Sequence, residues 1–400
     1  MRKNTNKNTF GKMTVKVIFA VMGVAIMLSA ALISPVMLSG CSGNTHNTSA
    51  PETTAAPVTT APVTEAVSDT AAETEPEPEI VIPDFINPLT GLAADKDLSA
   101  SRPAAIMINN IKVSCPQIGV RNIDVMYECL AEGGITRLLC LASDYAALGE
   151  VGSVRSARDY FIDLAQNHDA LFVHAGGSPY AYTSIDERDI DNLDGVNMYL
   201  PDVFYRDQDR RKNMGYENSL MTSGEKIAEG IAFRKYRTTL RDNFDSPLDF
   251  VDFGTTLDLS SAEDALHVYL PFSYYENADM IYDPSTGLYD RYQFDGEPHI
   301  DGETGEQLRF ANIFVLFCDT AAIPGDDKDR IRVGTVGSGD GYYITGGKAI
   351  RVRWEKDDND SPVKFTDENG ESLKINRGKT YIAVMSMSAE KNILLNKSDS

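Results

Sequence analysis

Pro103-Ala104-Ala105-Ile106-Met107-Ile108 is a short apolar run that follows a proline, and this pattern predicts a buried β-strand. Ile135 to Leu141 and Ala170 to Val173 have the same character and are two further strand candidates. Between the second and the third strand candidate, residues 156–166 carry apolar side chains at helical spacing. Strands that alternate with helices predict an α/β or α+β domain, which we place over residues 84–250.

The character of the sequence changes from about Leu259 onward. Tyr and Phe become frequent, and turn signals such as Pro284-Ser-Thr-Gly287 and Asn369-Gly370 recur. Short apolar runs such as Ile313 to Phe317 lie between the turns. This alternation predicts a mostly β second domain over residues 258–395.

The segment that precedes both domains, residues 41–83, consists mainly of Thr, Ala, Pro, Glu, Ser and Val. A chain of this composition has too few large apolar residues to form a core. We therefore predict a disordered tether.

Residues 1–40 have the layout of a secretory signal peptide. Five Lys and Arg residues with no acid come first, and an apolar stretch follows from Val17 to Met37. The stretch ends in Leu38-Ser39-Gly40-Cys41, which resembles the signal of bacterial lipoproteins, in which the cysteine thiol is lipidated, with palmitate for example. We expect a lipid anchor on Cys41, at the extracytoplasmic face of the cell membrane. The alternative is a transmembrane anchor, because the run is just long enough to span a bilayer.

The composition of the 400-residue chain excludes some classes of partner. Its formal net charge is −22, and the removal of residues 1–40 brings it near −27. Such a surface repels the phosphate backbone, so nucleic acid is not an expected partner. The five histidines are scattered without a metal-binding spacing, so we predict neither a metal site nor a cofactor.

Four cysteines follow Cys41, and they show neither a CxxC pair nor another metal-like spacing. Cys129 and Cys140 lie in apolar runs, which favours small buried hydrophobic side chains. A disulfide among Cys115, Cys129 and Cys140 remains open at this point.

Three polar clusters lie at the ends of the predicted elements. They are Glu128–Arg137, Gly149–Phe161 and His174–Pro179. Together with Asn87-Pro-Leu-Thr-Gly91, these clusters resemble the YerB-like family of bacterial lipoproteins. The resemblance continues in Gly287-Leu-Tyr289-Asp-Arg291 and Pro298-His299-Ile-Asp301 of the second domain. It implies an N-terminal and a C-terminal part of unknown function and carries no settled activity.

The second cluster predicts an anion site at the start of a helix. Ser156 with Asp159 fits a capping box, which would begin the helix at Ser156. Arg155 and Arg158 flank this helix start and are suited to hold a carboxylate or a phosphate. The structural alternative is that Arg155 pairs with Asp159 and Arg158 with a neighbouring acid.

The third cluster predicts another turn from a strand into a helix. The strand ends at His174, Gly176 and Gly177 turn the chain, and Ser178 fits an N-cap before a proline at the first helical position. Ligand sites in α/β sheets lie beyond the C-terminal ends of strands. His174 is therefore a candidate general acid/base or ligand residue, or else a histidine satisfied by the backbone of the turn.

The first cluster adds carboxylates. Glu132 lies beside a Gly-Gly turn and near Arg137, so it is either a salt-bridge partner or a catalytic acid. With Glu128 it would form a pair of the kind that hydrolyses glycosidic bonds. In the second domain, the secondary candidates are Tyr289, Arg291, His299 and Asp301.

Two functions are consistent with these patterns. The first is a lipid-anchored envelope protein that binds peptidoglycan or a wall-synthesis protein through a cleft lined by Arg and His. The second is an enzyme that cleaves wall glycan with Glu132 or Asp159 and His174. The candidate site for both comprises Glu132, Arg137, Arg155, Ser156, Arg158, Asp159, His174, Gly176, Gly177 and Ser178.

Overall fold

The computed structural model describes residues 80–294 and 296–398. The predictions for the signal peptide, for Cys41 and for most of the tether fall on residues 1–79 and lie outside the described residues. In the part of the chain that the structure covers, no helix has the length and apolar character needed to cross a membrane.

The N-terminal segment contains short strands and the four α-helices of the described residues. Its strands are β1 (Ala104–Asn110), β2 (Val125–Leu130), β3 (Thr136–Ala142), β4 (Glu150–Gly152), β5 (Leu171–His174), β6 (Asn192–Asp194), β7 (Tyr205–Arg206), β8 (Leu220–Ser223) and β9 (Asp249–Phe250). Its helices are α1 (Asp159–Gln166), α2 (Pro179–Glu187), α3 (Gln208–Asn213) and α4 (Gly224–Arg234). The three strands predicted from apolar runs are β1, β3 and β5.

The C-terminal segment is built from strands and turns, with one 3-10 helix at Met387–Asn392. Its strands are β10 (Glu263–Asp264), β11 (His267–Pro271), β12 (Asn277–Asp283), β13 (Leu288–Gln293), β14 (Glu297–Pro298), β15 (Arg309–Phe310), β16 (Asn312–Cys318), β17 (Thr320–Ala322), β18 (Ile331–Val333), β19 (Gly337–Thr345), β20 (Lys348–Lys356), β21 (Lys364–Thr366), β22 (Lys374–Ile375) and β23 (Thr380–Ser386). The described residues are therefore mostly β, with helices in the minority.

One large sheet contains strands from both segments. Its order is β10-β20-β19-β16-β23-β2-β3-β1-β5-β6, and β21 pairs with β20. β23 lies between β16 and β2 and runs parallel to both. The two segments are thus joined through backbone hydrogen bonds, and their division into two domains stays a prediction.

The central strands of this sheet are buried on both faces. Every residue of β1 is buried, and its side chains alternate between two apolar clusters. Ile106 and Ile108 belong to one cluster, whereas Ala105 and Met107 belong to the other. This explains why β1 is a continuous apolar run instead of an alternating one. Burial of one such isoleucine side chain contributes about 1.5–3 kcal/mol.

Smaller sheets flank the large one. The strands β11-β12-β13-β14 form a second sheet, with β15 paired to β13. A three-stranded sheet has the order β4-β8-β7, and β17 pairs with β18 as a hairpin. The loop of this hairpin brings two cationic side chains of the C-terminal segment, Lys328 and Arg330, to a cleft of the N-terminal segment.

Candidate functional site

A cleft of about 750 Å³ lies at the end of the large sheet where β1 and β5 finish. Seven of the residues predicted for the site line it. The full lining comprises Glu132, Arg137, Val154, Arg155, Ser156, Arg158, Ala175, Gly176, Gly177, Tyr182, Val196, Asn197, Arg206, Tyr216, Glu217, Leu220, Lys328 and Arg330.

The backbone that carries the arginines is held between two elements. Arg155 donates its N–H to Met107 O of β1 at 2.9 Å, and its carbonyl accepts from Ala175 N at 2.9 Å. Ala157 N donates in turn to Gly176 O at 2.9 Å. Gly176 has φ +75°, a conformation that favours glycine, so the turn after β5 follows directly from the sequence. These bonds fix the position of residues 155–157 beside the turn.

The inner part of the cleft is a triad of two arginines and one carboxylate. Arg158 binds Glu132 through two N–H groups, with Nε at 2.8 Å from Oε2 and Nη2 on Oε1. Arg137 Nη2 donates to the same Oε1 at 2.8 Å, and its Nη1 donates to Ser156 O at 2.9 Å. The Arg137 side chain is only 3% exposed and that of Arg158 only 9%. Glu132 is therefore held in one orientation by two nearly buried cations.

This triad carries more positive than negative charge. Burial alone would favour the neutral form of Glu132, but Arg137 and Arg158 outweigh it and lower its pKa from 4.5 to about 2. Burial and the neighbouring Arg158 lower the pKa of Arg137 to about 10. One carboxylate thus does not compensate two guanidinium groups, and a further anion would stabilise the charged form of Arg137.

Two arginine N–H groups of the cleft have no protein partner. The Nε atoms of Arg137 and Arg155 are both buried without a hydrogen bond. Arg155 uses Nη1 for Glu217, at 3.1 Å from Oε2, but the Glu217 side chain is 75% exposed. Unpaired buried donors are uncommon in proteins, but the Nε atoms of Arg121, Arg291 and Arg377, outside the cleft, are buried without a hydrogen bond as well, so this feature alone does not distinguish the cleft.

The outer part of the cleft adds three more cations. Arg206 lies over the ring of Tyr216, with its guanidinium carbon 3.5 Å from the ring centroid. Lys328 and Arg330 come from the β17–β18 hairpin, where Asp326 holds Arg330 at 2.8 Å. Six cationic side chains therefore line the cleft, and the carboxylates of Glu132, Glu217, Asp326 and Asp327 lie within ion-pair distance of five of them, which leaves an excess of positive charge in a chain whose net charge is −22.

The capping box predicted for the second cluster is wrong. α1 begins at Asp159 and its N-cap residue is Arg158, which makes no side-chain capping bond. Ser156 lies upstream of the helix, in the extended stretch that lines the cleft. Asp159 is outside the lining, and burial raises its pKa. Of the predicted alternative, the pair between Arg155 and Asp159 is not formed, because Arg155 contacts Glu217, whereas Arg158 does pair with a neighbouring acid, Glu132.

The third cluster forms the predicted turn, but its histidine is inaccessible. Ser178 Oγ accepts from Ala181 N at 3.0 Å, and Pro179 is the first residue of α2, as expected for an N-cap. His174 is 0% exposed; its Nδ1 donates to Gly176 O at 2.8 Å, and its Nε2 faces Asn192 Oδ1 at 3.1 Å. His174 thus supports the turn and does not line the cleft.

Glu128 and the secondary candidates lie in the interior. Arg291 and Glu128 are fully buried, with Nη2 and Oε2 2.5 Å apart, and Tyr381 OH donates to the same Oε2 at 2.6 Å. Burial and Arg291 lower the pKa of His299, whose Nδ1 accepts from Arg291 and whose Nε2 donates to Gln117 Oε1 at 3.0 Å. This network joins the two segments and leaves Glu128 outside the cleft that Glu132 lines.

Tyr289 and Asp301 are buried as well. Tyr289 OH donates to Ala265 O and accepts from Gly347 N, both at 3.0 Å, and Asp301 accepts from the backbone N–H groups of Arg121 and Glu303. These side chains stabilise turns, and they offer no surface for a ligand. The cysteines Cys115, Cys129, Cys140 and Cys318 are free thiols in the structure, so no disulfide links them.

Sequence reasoning missed the outer cations of the cleft. Arg206 lies outside the three polar clusters, and Lys328 with Arg330 lie in an acidic loop that has no motif of its own. The alternation of acidic and basic residues in Asp327-Lys328-Asp329-Arg330 is the one local pattern that draws attention to these cations. It does not predict which part of the fold the hairpin approaches. Only the tertiary structure brings these residues to the arginines of the first segment.

The comparisons with known proteins agree with this two-part organisation. Residues 89–237 match the model described as the N-terminal domain of the protein of unknown function DUF3048, and residues 268–382 match its C-terminal domain. The chain is 29% identical over 303 residues to the "Putative lipoprotein YerB" of Bacillus subtilis (strain 168), which covers 74% of this chain and 85% of that protein.

A solved structure is similar over the same length. The crystal structure of the YerB protein from Bacillus subtilis matches with a TM-score of 0.64 and 27% identity, and the match covers 75% of this chain and 96% of that one. The sequence identity, the two domain matches and the structural similarity therefore indicate the same family. The chain belongs to the DUF3048 family, with both its N-terminal and its C-terminal domains.

Proposed function

We propose that this protein is a lipid-anchored protein of the cell envelope, and that its cleft binds an anionic group of a cell-wall component or of a wall-synthesis protein. The anchor is inferred from Cys41 at the end of its apolar run and from the name of the relative as a putative lipoprotein. A lipid on Cys41 would hold the folded part at the extracytoplasmic face of the membrane.

The excess of positive charge in the cleft is the observation that carries the proposal. Six cationic side chains line the cleft against the four carboxylates of Glu132, Glu217, Asp326 and Asp327 that pair with them, and the Nε donors of Arg137 and Arg155 have no acceptor. A carboxylate or phosphate supplies such acceptors and offsets the repulsion between neighbouring guanidinium groups. Because the cations come from both segments, a bound anion would also stabilise the contact between them.

The geometry gives less support to the alternative of a glycan-cleaving enzyme. Glu132 has a pKa lowered to about 2 and is held by two arginines, whereas a general acid needs a proton near neutral pH. Asp159 lies outside the lining and His174 is buried. Neither Glu132 nor Asp159 therefore shares the cleft with His174, as this mechanism requires.

Binding measurements on the full-length protein in detergent test the proposal. We expect solubilised peptidoglycan fragments to bind, and Arg155→Ala and Lys328→Ala to weaken binding about 10- to 100-fold each, because each removes a charge-assisted contact. The control Arg353→Ala removes the same charge from a side chain that is 57% exposed and outside the cleft. Equal losses in all three variants would indicate a non-specific charge effect and contradict the proposal.

The anchor is tested separately. The Cys41→Ala variant should incorporate no labelled palmitate, because acylation requires the thiol. A Cys115→Ala variant is the control, because its thiol lies in the folded part and is half-buried. Label that still enters the Cys41→Ala protein would refute the assignment of the anchor.

A further inference from the structure

Two neighbouring tyrosines project from the turn between β11 and β12. Tyr274 is 94% exposed and Tyr275 is 68% exposed, and their rings meet edge to face with centroids 5.2 Å apart. Single exposed aromatic residues are ordinary. An adjacent pair on one turn differs from a single exposed ring, because the pair forms a continuous aromatic surface of two rings at right angles.

The turn that carries this pair is rigidly built. Phe272 N and Ser273 N both donate to Glu276 O at 3.0 Å, which closes the turn. Ser273 Oγ accepts from Tyr275 N and Glu276 N, each at 3.0 Å, and donates to Gly134 O at 2.6 Å. The tyrosines are therefore presented by a fixed backbone, whose anchor is a residue of the N-terminal segment.

This anchor places the tyrosines beside the cleft. A side chain at Gly134 would come within 3.4 Å of the Tyr275 ring, so the ring lies against the turn of residues 132–134. Gly134 is two residues from Glu132, and the Cα atoms of such residues are at most about 7 Å apart. Glu132 is the carboxylate that Arg137 and Arg158 hold in the inner cleft. One short turn thus separates the aromatic pair from the cationic site.

A carbohydrate chain with anionic groups has the chemistry that fits both features. Tyrosine rings present an apolar face on which the C–H face of a sugar ring can stack, and a hydroxyl that can bond to sugar hydroxyls. The cleft holds carboxylates or phosphates of the same chain.

We propose that Tyr274 and Tyr275 form a sugar-stacking subsite adjacent to the cleft, and that the ligand is an acidic glycan which spans both. This inference rests on the proposed function, because it identifies the class of ligand for the same cleft. The anionic group can be a carboxylate, as in peptidoglycan, or a phosphate, as in a wall polymer with a phosphodiester backbone.

The test compares variants of the full-length protein in detergent with three probes: inorganic phosphate, peptidoglycan glycan fragments and a teichoic acid. We expect the double variant Tyr274→Ala/Tyr275→Ala to lose at least tenfold in affinity for one of the two glycans and to bind phosphate like the wild type. The matching Phe variant should keep most of the glycan affinity, because it keeps the rings. Phe233→Ala, which removes a 50% exposed aromatic ring from α4, is the control and should bind like the wild type.

The outcomes separate the two proposals. If the wild type binds none of the three probes, the anion-binding function fails, and this inference fails with it. If the wild type binds phosphate and a glycan but the Ala double variant binds that glycan equally well, the stacking subsite alone is refuted. The pair would then be a surface for another class of partner, such as a protein. Loss of affinity for the peptidoglycan fragments or for the teichoic acid identifies the source of the acidic group.

Discussion

Replacement of Arg158 by Ala should destabilise the protein, whereas replacement of Arg155 should not. Arg158 has a 9% exposed side chain, donates two hydrogen bonds to Glu132 and donates a third to Ala157 O at 2.6 Å. Arg155 has an 18% exposed side chain, and its acidic partner Glu217 is 75% exposed. The two arginines are three residues apart in sequence, but they differ in how much of their interaction is shielded from water.

The expected losses in the free energy of unfolding follow from these exposed fractions. Removal of one partner from a fully buried ion pair costs about 3–5 kcal/mol. Glu132 is 25% exposed and keeps Arg137, so we expect a lower loss of about 2–3 kcal/mol for Arg158→Ala. An exposed pair such as Arg155–Glu217 contributes about 0–1 kcal/mol. The free energies of unfolding of the two variants should therefore differ by about 2 kcal/mol.

Chemical denaturation at neutral pH measures this difference directly. A double-mutant cycle with Glu132→Ala should show that most of the loss in Arg158→Ala comes from the Arg158–Glu132 pair. If Arg158→Ala unfolds within about 0.5 kcal/mol of the wild type, the triad is not the shielded structure that we describe. A loss in Arg155→Ala as large as that in Arg158→Ala would equally contradict the reasoning.

Three further predictions concern stability. Because the pKa of Glu132 is lowered from 4.5 to about 2, its ionised form stabilises the native state fully above pH 4.5, and this contribution declines as the pH falls toward 2. Glu132→Gln should therefore make the free energy of unfolding depend less on pH between 2 and 4.5. An unchanged pH dependence in acid titrations of the variant would refute this prediction. Arg291→Ala should cost about 3–5 kcal/mol because Glu128 is left buried without its cation, whereas the exposed Arg353→Ala should cost less than about 1 kcal/mol, as measured by urea unfolding. Ser178→Ala should cost about 1 kcal/mol through loss of the N-cap of α2, and a Ser178→Asp variant that retains the cap should recover most of it in the same assay.

The sequence predicted the local elements of the fold better than their arrangement. β1, β3 and β5 were found from apolar runs, because strands buried on both faces have no polar alternation. The pairing of β23 with β2 could not be found in the same way, because it joins residues that lie far apart in the chain. Composition indicated a division into two segments but carried no information about hydrogen bonds between them.

The candidate site was likewise predictable only where its residues belong to a local sequence pattern. Arg155, Gly176 and Gly177 follow from local turn chemistry, and the structure brings them to one cleft with Glu132. The function of these residues stays a proposal. The capping box failed because Ser156 lies in the extended stretch before α1, where its carbonyl accepts from Arg137. A local pattern does not show that a distant arginine binds this backbone.

The position of β23 determines when the large sheet can form while the chain is being synthesised. Tyr381 of β23 bonds to Glu128 of β2, although the two residues are 253 positions apart in the chain. A chain that emerges from its N-terminus exposes the edge of β2 until β23 has been made, and such open edges invite aggregation. Truncation before Thr380 would therefore remove the middle of the large sheet, since only β23 separates β16 from β2. Residues 89–237, produced alone, would lack the strand that completes their sheet, so β23 has to be synthesised before the native sheet can close.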